Sequence, residues 1–519
     1  MTMKRNLLFL IVPFACTLSF GQGEIDAYRY SNNELSGTAR GQAMGGAFGA
    51  LGGDVTGVAI NPAGIGVYRS SEVVANISLT SPLIKGTTNQ ESNSSFGFDN
   101  LSYISYYPLV KGSMLSLNFG FNYNRIKSFD QRYRTSRVDM KSSLTDYMLE
   151  LTDGINHSVW TGNTDNCYTN PKIPWLSILA WDGYLINEKD KTNDAYESIL
   201  YKDEHVSPTL SVSEKGKVES YDFTIGSNIA NRFYWGATVS IIDLSYLMTS
   251  SYDEKFLGVQ GSGLNLENYL ETKGSGFQMK VGLIFKPTDV LRVGVAYHSP
   301  IWYTMTDYYQ AELTPRLTAR GIYTDEGKEV GHTETPYNSS SYYMQTPGSW
   351  TFSLAAVLST QAIISVDYEN KDYSAMNLKD PEGHDWKDVN NRMNDEYKDA
   401  STLRAGLEFK FTPQFSGRVG YACVQSPYRQ DIQSTGKNVK TAGTVPHYTL
   451  SDNVNYLTAG LGFRFTPQFY GDFALVLRKQ KDDLYYFPPV KIEGVEPDSF
   501  SGTFTNQTMK GLVTLGYKF

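Results

Sequence analysis

The feature that most constrains the fold is an alternation of apolar and polar residues that recurs along the chain. In MLSLNFGFNYN, the side chains of Leu115, Leu117, Phe119, Phe121 and Tyr123 fall on one face of an extended segment, and from Ser116 onward Ser, Asn and Gly fall on the other. A period of two residues is that of a β-strand, and about ten residues are enough for a tilted strand to cross a bilayer. The small polar face predicts a wall between lipid and a lumen.

Segments with this alternation recur often enough to close a barrel. Two clear examples are RVGVAYHS, from Arg292, and GLVTLGYKF, which ends at Phe519. We predict an all-β fold, a 14-stranded antiparallel transmembrane β-barrel, in which the even strand number places both ends of the wall on one side. The predicted strands span residues 72–80, 96–107, 114–127, 217–229, 234–250, 273–286, 291–299, 349–358, 362–372, 402–411, 415–425, 454–465, 470–479 and 506–519.

The connections between these strands alternate between short and long. The short turn TPQF occurs twice, at Thr412 and Thr466, each time inside a strand–turn–strand unit. Outer-membrane barrels have this asymmetry, with short periplasmic turns and long outer loops. The aromatic, alternating C-terminal strand is of the kind that the barrel insertion machinery is thought to read, so we expect that machinery as a partner. Long connections are predicted at 128–216, 251–272, 300–348, 373–400, 426–452 and 480–505.

The first 21 residues have the pattern of a secretory signal peptide. Lys4 and Arg5 precede an apolar run, and small residues offer a cleavage site after Gly21. The alternative, a lipoprotein anchored at Cys16, needs a Leu-like residue three positions earlier, where Pro13 stands. The chain is therefore expected to be exported.

Composition and motif spacing argue against nucleic-acid binding and catalysis. Acidic residues outnumber basic ones, 54 to 46, so no nucleic-acid partner is expected. Cys167 and Cys423 could form one disulfide but are too few for a structural zinc site. No HxxxH, HExxH or G-x-S-x-G spacing occurs. We predict no metal, no cofactor and no enzyme, although Ser and His assembled across strands would escape a search by spacing.

A glycine-rich segment, GQAMGGAFGALGGDVTGVAINPAG from Gly41 to Gly64, precedes the first strand. It lacks the GK[ST] ending of a phosphate-binding loop and the G-x-G-x-x-G spacing of a dinucleotide site. Glycine allows positive φ and close backbone approach. The segment is therefore predicted to be a plug threaded through the barrel.

Within the longest connection, SSLTDYMLELTDGI predicts a short amphipathic helix with Leu144, Met148 and Leu151 on one face and a stop at Gly154. This helix could pack over the barrel mouth or offer an apolar landing surface to a ligand. The carboxylate-rich segment from His384 is predicted to be a solvated outer loop, with a calcium site as the alternative.

Several segments, in order along the chain, resemble the FadL/TodX/OmpP1 family of outer-membrane long-chain fatty acid transporters. The first is NPAG, from Asn61, directly before a strand. KPTDVLRVGVAYHSP, from Lys286, is similar to the family's mid-barrel hairpin, and TPGSWTFSLAA and LRAGLEFKFTPQFSGRVGYACVQSP are similar to the segments that follow it. The ordered set is more specific than any one motif.

The resemblance implies a barrel of residues 72–519 closed by a hatch of residues 22–71, behind a signal peptide of residues 1–21. Its hatch motif would be Asn61, Pro62 and Ala63. The family takes up hydrophobic small molecules such as long-chain fatty acids, by capture at the outer face and lateral exit into outer-membrane lipid. We expect a monomer in the outer membrane of a Gram-negative bacterium.

The same resemblance directs attention to the lumen and to a kinked third strand. We place the kink, and with it a lateral opening, near Gly120, because glycine weakens the ladder locally. The connection at 128–216, which carries Trp160, Trp175 and Trp181, is longer than the family's pattern. Since relatives of this barrel include shuttles of the type IX secretion system, a protein-interaction or secretion-associated role remains the alternative. The residues predicted to line the lumen are Asn118, Asn122, Asn124, Arg292 and His298.

Overall fold

Fourteen strands close into one antiparallel wall in the computed structural model, which describes residues 23–85, 94–160, 164–190, 194–324, 326–359, 361–436, 439–441, 443–491 and 498–519. The predicted signal peptide lies outside the described residues. The wall strands are β1 (Glu72–Lys85), β2 (Ser95–Pro108), β3 (Met114–Ser128), β4 (Val206–Ile229), β5 (Phe233–Phe256), β6 (Gly263–Phe285), β7 (Leu291–His298), β8 (Ser349–Leu358), β9 (Ala362–Asp372), β10 (Asp399–Lys410), β11 (Phe415–Val424), β12 (Val454–Arg464), β13 (Phe469–Tyr485) and β14 (Phe500–Lys518).

Each wall strand pairs with its neighbours in sequence, and the ring closes where β14 returns to β1. That closing ladder runs from Glu72↔Lys518 to Lys85↔Thr505. Each of the fourteen predicted segments corresponds to one of these strands, which confirms the predicted barrel. Because β1 and β14 pair with each other, their backbone groups are satisfied within the wall, which lipid could not do.

The upper wall differs from the prediction, because several expected loops are strand. The connection expected at 251–272 is mostly the upper part of β5 and β6, which are joined by a turn after Phe256. The alternation continues there because the inner face is covered by packed loops. Further strands extend the wall or its loops: Gln131–Ser136, Trp302–Arg316, Thr333–Glu334, Asn338–Gln345, Asn377–Lys379 and Tyr448–Ser451, with a separate hairpin of Ile186–Asp190 and Ala195–Ser198.

A belt of exposed apolar side chains surrounds the wall on its outside. Its upper boundary is a row in which Tyr123 pairs with Tyr221, Tyr221 with Ile241, Ile241 with Phe277, and Phe277 with Trp302. Aromatic rows of this kind mark the membrane–water interface of outer-membrane barrels. Among the helices of the described residues, none is long and apolar enough to cross a membrane.

The described residues form seven α-helices, which lie inside the wall or above it. The helix predicted from Ser142 is confirmed as α4, where Ser143 and Asp146 form a capping box. Leu144 and Met148 are fully buried, so this helix packs over the barrel mouth. The helices are α1 (Glu24–Ser31), α2 (Ala39–Ala43), α3 (Val55–Ile60), α4 (Leu144–Thr152), α5 (Trp175–Asp182), α6 (Lys387–Glu396) and α7 (Gln430–Thr435); short 3-10 helices cover Pro62–Val67, His157–Trp160, Thr164–Thr169, Thr318–Arg320 and Tyr373–Ala375.

The outer loops and the upper wall share one apolar core, which we call the dome. It includes Trp160 and Trp181, whose rings stack at 5.2 Å, and it extends down to Tyr28 and Tyr30 of α1. The long connection with its three tryptophans is therefore a packed cap on the barrel. We call residues 23–71, which precede the first wall strand, the plug. Because α1 belongs to the plug, the dome and the plug meet at this helix.

Candidate functional site

The N-terminal segment is seated in the lower lumen through Asn61. The Asn61 amide nitrogen donates to the carbonyl oxygens of Gly49, at 2.7 Å, and of Leu283 on β6, at 3.2 Å. Its side-chain oxygen accepts from the backbone N–H of Ala63 at 3.1 Å, and Pro62 begins a 3-10 helix. Asn61 is only 1% exposed. The motif thus ties two parts of the plug to the wall.

Wall glycines make room for this seat. A Cβ on Gly282 of β6 would lie 1.9 Å from the Asn61 side-chain oxygen, and one on Gly236 of β5 would lie 2.2 Å from the Pro62 carbonyl oxygen. Either approach is too close for any side chain. In the plug itself, Gly45 has a φ of +65° and approaches the backbone of β11, as the glycine-rich sequence predicted.

A network of charged side chains also joins the plug to β10, β11 and β13, which are not the strand that Asn61 contacts. Arg40 of α2 donates through Nε to Glu408 of β10 at 2.8 Å. Arg418 of β11 donates to the same carboxylate at 2.6 Å and also reaches Asp472 of β13 at 2.5 Å. This network was not predicted from the sequence. The clue to it in the sequence was the presence of ionisable residues within apolar strands, because such side chains must point into the lumen.

The lumen-lining residues predicted from the sequence all point inward, and three of them contact the plug backbone. Asn118 donates to the carbonyl oxygen of Ile65 at 2.6 Å, and His298 Nε2 donates to that of Ile60 at 2.8 Å. Arg292 donates to the carbonyl oxygen of Leu51 at 2.5 Å. These groups hold the plug and do not line an open channel.

The remaining two predicted residues lie higher on β3. Asn122 accepts from Asn100 and Ser102 of β2, at 2.5 Å each, and Asn124 donates to Ser36 of the plug at 3.3 Å. Both are buried. They form the last polar layer below the cavity described next.

A cavity of about 210 Å³ lies between the plug and the dome. Its apolar wall includes Ile25 and Tyr28 of α1 and Phe129 after β3. Lys127 faces it and donates through Nζ to the carbonyl oxygen of Arg29 at 2.6 Å. The space therefore combines apolar surface with charged groups of both signs. Its other ionisable lining residues are Glu34, Arg125, Asp130, Glu214, His447, Arg478, Asp482 and Lys510.

Beside this cavity the ladder between β2 and β3 stops. The two strands pair from Pro108↔Ser116 up to Asn100↔Asn124 and no further. At the same level the register of β1 and β2 shifts and leaves Asp99 as an extra residue, and the register of β3 and β4 shifts between Arg125 and Lys127. Bulges of this kind end strand pairing and redirect side chains. We call the gap above Asn100↔Asn124 the lateral window.

A buried ionic cluster forms the lower edge of the lateral window. Asp99 contacts Arg125 of β3 at 2.5 Å and Lys510 of β14 at 2.8 Å. Arg125 also donates to Ser78 of β1 at 3.3 Å and lies over Gly97, where a Cβ would come within 2.1 Å of the guanidinium. The Asp99 carboxylate thus links β2, β3 and β14 at the level where the pairing of β2 with β3 ends.

The position of the strand irregularity corrects the sequence-based placement at Gly120. Gly120 pairs regularly with Ile104 on one side and with Thr224 on the other. A Cβ there would lie 2.9 Å from Ile65 of the plug. This glycine therefore makes room for the plug, and the register of β3 changes at Arg125–Lys127 instead.

A second cavity, of about 770 Å³, opens on the outer surface of the dome. Tyr147 of α4 and Trp175 of α5 line it together with Pro488 and Pro489. We call it the outer cleft. It is apolar on the side of α4 and α5 and charged on the side of α6.

The floor of the outer cleft lies close to the N-terminal helix of the plug. Glu24 of α1 is fully buried, accepts from the backbone N–H of Lys440 at 2.8 Å and lies 3.4 Å from Arg392 of α6. Burial and the neighbouring Glu24 raise the pKa of Glu396 to about 9. Arg392, which acts to lower that pKa, is the cation that faces this pair of carboxyl groups.

The remaining chemical features of the described residues are few. No group of three or more His, Cys, Asp or Glu there is placed to hold a metal ion. Cys167 and Cys423 are both free thiols.

Comparison with known proteins places the chain among outer-membrane transport barrels. The sequence model of the family described as outer membrane protein transport protein (OMPP1/FadL/TodX) matches residues 225–484. The crystal structure of a Pseudomonas aeruginosa FadL homologue is 13% identical with a TM-score of 0.52, over 94% of this chain and 99% of that one. The deltaS2 mutant of the TodX monoaromatic hydrocarbon channel is 12% identical with a TM-score of 0.50, over 93% and 98%. No curated protein matches the sequence. At these identities the structural likeness supports the fold.

Proposed function

This chain belongs to the OmpP1/FadL/TodX family of outer-membrane transport proteins, and we propose that it takes up hydrophobic small molecules such as long-chain fatty acids. In this proposal the ligand binds first at the outer cleft. It then enters the cavity above the plug and leaves sideways through the lateral window into outer-membrane lipid.

The chemistry of the cavity supports an amphipathic ligand. Tyr28 and Phe129 offer apolar surface to an acyl chain, and Lys127 and Arg478 offer positive charge to a carboxylate. A charge-assisted hydrogen bond to a carboxylate contributes about 1.5–3 kcal/mol. Lys127 already donates to the Arg29 carbonyl oxygen and Arg478 to the Gln480 side chain, and a ligand carboxylate could add charge-assisted hydrogen bonds to both. We therefore favour an acid over a neutral compound.

The observation that carries lateral exit is the position of the lateral window. Ser95 lines the cavity and stands on β2, one of the two strands that border the window, and its pairing partner Thr80 on β1 also lines the cavity. The part of the plug that Asn61 and Arg40 fasten to the wall lies below both. A ligand in the cavity therefore has a shorter route through the wall than past the plug.

The test combines ligand identification with obstruction of the window. Lipids extracted from the purified native protein should contain long-chain acids when analysed by mass spectrometry. Ser95→Trp should slow uptake of a labelled fatty acid at least about tenfold, and the lipid that it still binds is measured in the same preparation. Ser95→Ala, which removes only the hydroxyl, is the matched control and should transport normally.

The outcomes separate the two parts of the proposal. If no acyl lipid accompanies the protein and no fatty acid binds, the substrate class is wrong. If fatty acid binds but Ser95→Trp transports as well as Ser95→Ala, lateral exit through this window is wrong. A co-purifying protein in place of lipid would favour the secretion-associated alternative.

A further inference from the structure

The outer face of the wall, above the aromatic row, carries two parallel rows of polar side chains. In the first row the register places Arg132 beside Ser213, Ser213 beside Thr249, Thr249 beside Tyr269, and Tyr269 beside Gln310. These side chains point away from the dome, because the residues between them in sequence are the buried ones.

The second row lies two residues further up the same strands. It joins Arg134, Ser211, Ser251, Glu267 and Glu312 through the same ladders. Glu334 continues it beyond Glu312 on the next strand. Both rows therefore run from arginine at one end, through hydroxyls, to carboxamide or carboxylate at the other.

A groove of about 690 Å³ lies between the two rows. Its floor is the backbone of the residues that separate the rows, such as Val212 and Ser250. Six strands contribute to it, so five spacings of about 4.8 Å make it about 24 Å long. The groove crosses the strands and is open to the outside.

The height of the groove indicates what surrounds it. Ser213 precedes Tyr221 of the aromatic row by eight residues on β4. At about 3.3 Å per residue, and with a strand tilt of about 40°, the groove lies about 20 Å above the membrane interface. The lipid-facing belt and the groove share the same strands without interruption. The groove thus faces the layer occupied by the sugars of outer-leaflet glycolipids.

The chemistry of the groove fits an oligosaccharide better than a protein. Ser211, Ser213, Thr249 and Ser251 supply hydroxyls that both donate and accept, as sugar hydroxyls require. Tyr269 supplies an aromatic surface. The centre of a protein interface is usually apolar and poor in charge, whereas this lining is polar throughout its central strands.

The charge distribution along the groove would orient a bound ligand. Arg134 can bind a phosphate or carboxylate with paired N–H donors at one end, where Arg132 adds positive charge. Glu267, Glu312 and Glu334 repel such a group at the other end. A ligand with one anionic group near one terminus would therefore lie in a defined orientation.

We propose that this groove binds the anionic core oligosaccharide of an outer-leaflet glycolipid, from the outside of the barrel. The site is separate from the lumen, and the proposal does not depend on the transport function. It would fix the upper wall within the surrounding sugar layer.

The test uses the whole detergent-solubilised protein and two probes made from lipopolysaccharide: the free phosphorylated core oligosaccharide, and lipid A without core. Binding is measured by titration calorimetry. The core oligosaccharide should bind the wild type, and Arg134→Glu should weaken that binding about tenfold or more. Lys481→Glu is the matched control, because Lys481 is also an exposed basic residue on an upper wall strand. It should bind like the wild type.

A second pair of variants tests the groove by its shape. Ser251→Trp should fill the groove and abolish binding, whereas Thr503→Trp, on an exposed position of β14, should not. Failure of the core oligosaccharide to bind, equal effects of groove and control variants, or equal binding of lipid A alone would overturn the proposal. So would a bound protein that Arg134→Glu releases while the oligosaccharide shows no affinity.

Discussion

The seat of the plug provides the most direct test of the structure. Asn61→Asp keeps the size of the side chain but removes the two strongest hydrogen bonds that the amide nitrogen donates, to Gly49 at 2.7 Å and to Leu283 at 3.2 Å, together with a weak third one to Val295 at 3.5 Å. The acceptor bond to Ala63 can persist. The change therefore removes the link between the plug and β6 without creating a cavity.

The expected magnitude follows from the two hydrogen bonds that the substitution removes. Two buried hydrogen bonds contribute about 1 kcal/mol each, and the carbonyl groups left without a donor add a penalty of similar size. We expect a total of about 3 kcal/mol in favour of a released plug. At about 1.4 kcal/mol per factor of ten, the ratio of open to closed plug should rise about a hundredfold.

Single-channel conductance in planar bilayers measures this ratio directly. Asn61→Asp should show frequent open events for small ions, and deletion of residues 41–64 should give a permanently open pore. Asn453→Asp is the control, because the Asn453 side-chain oxygen accepts from the Ser426 N–H at 2.7 Å and an aspartate preserves that bond. A correctly folded Asn61→Asp protein with the conductance of the wild type would refute the idea that this residue seats the plug.

Two further predictions concern the wall and the dome. Gly236→Val places side-chain atoms where the Pro62 carbonyl oxygen lies, 2.2 Å from the Cβ position, so it should raise ion conductance like Asn61→Asp. Burial raises the pKa of Glu254, whose ordinary value is 4.5, to about 7. Because the folded state then holds a proton that the unfolded state releases, stability should fall as pH rises from about 4.5 to 7, by about 3 kcal/mol. In thermal melting at pH 5 and pH 8, Glu254→Gln should remove the part of the fall that Glu254 causes. The parts due to Asp146, whose pKa burial raises to about 6, and to Glu396 should remain.

The wall could be predicted from the sequence because its signal is local. In β3, Leu117 and Phe119 face lipid while Asn118 faces the plug, so alternation alone locates the strand and assigns its faces. The glycine-rich segment predicted positive φ values, and Gly45 has one. The ends of the loops were harder to predict from the sequence. The upper parts of β5 and β6 alternate polar with apolar residues as the membrane part does, but their outer face is hydrophilic and resembles a loop.

The lateral window could not be predicted, because it depends on pairing between strands. Asp99, Arg125 and Lys510 lie far apart in sequence, and no spacing rule joins them. Gly120 was chosen because glycine weakens a ladder, yet its neighbours supply regular partners on both sides. A clue was present in Asp99 itself, since a carboxylate inside an apolar strand needs a partner across the lumen.

The arrangement of plug, cavity and window makes the two transport phenotypes separable. The plug is fastened below the Asn100↔Asn124 pair, whereas the cavity and the lateral window lie above it. A ligand that leaves the cavity through the window does not have to pass the part of the plug that Asn61 seats. Asn61→Asp should therefore leak ions while transporting fatty acid normally, and Ser95→Trp should block fatty acid uptake without leaking. If both variants lost fatty acid uptake together, the plug would have to move during transport, and the route would run past it.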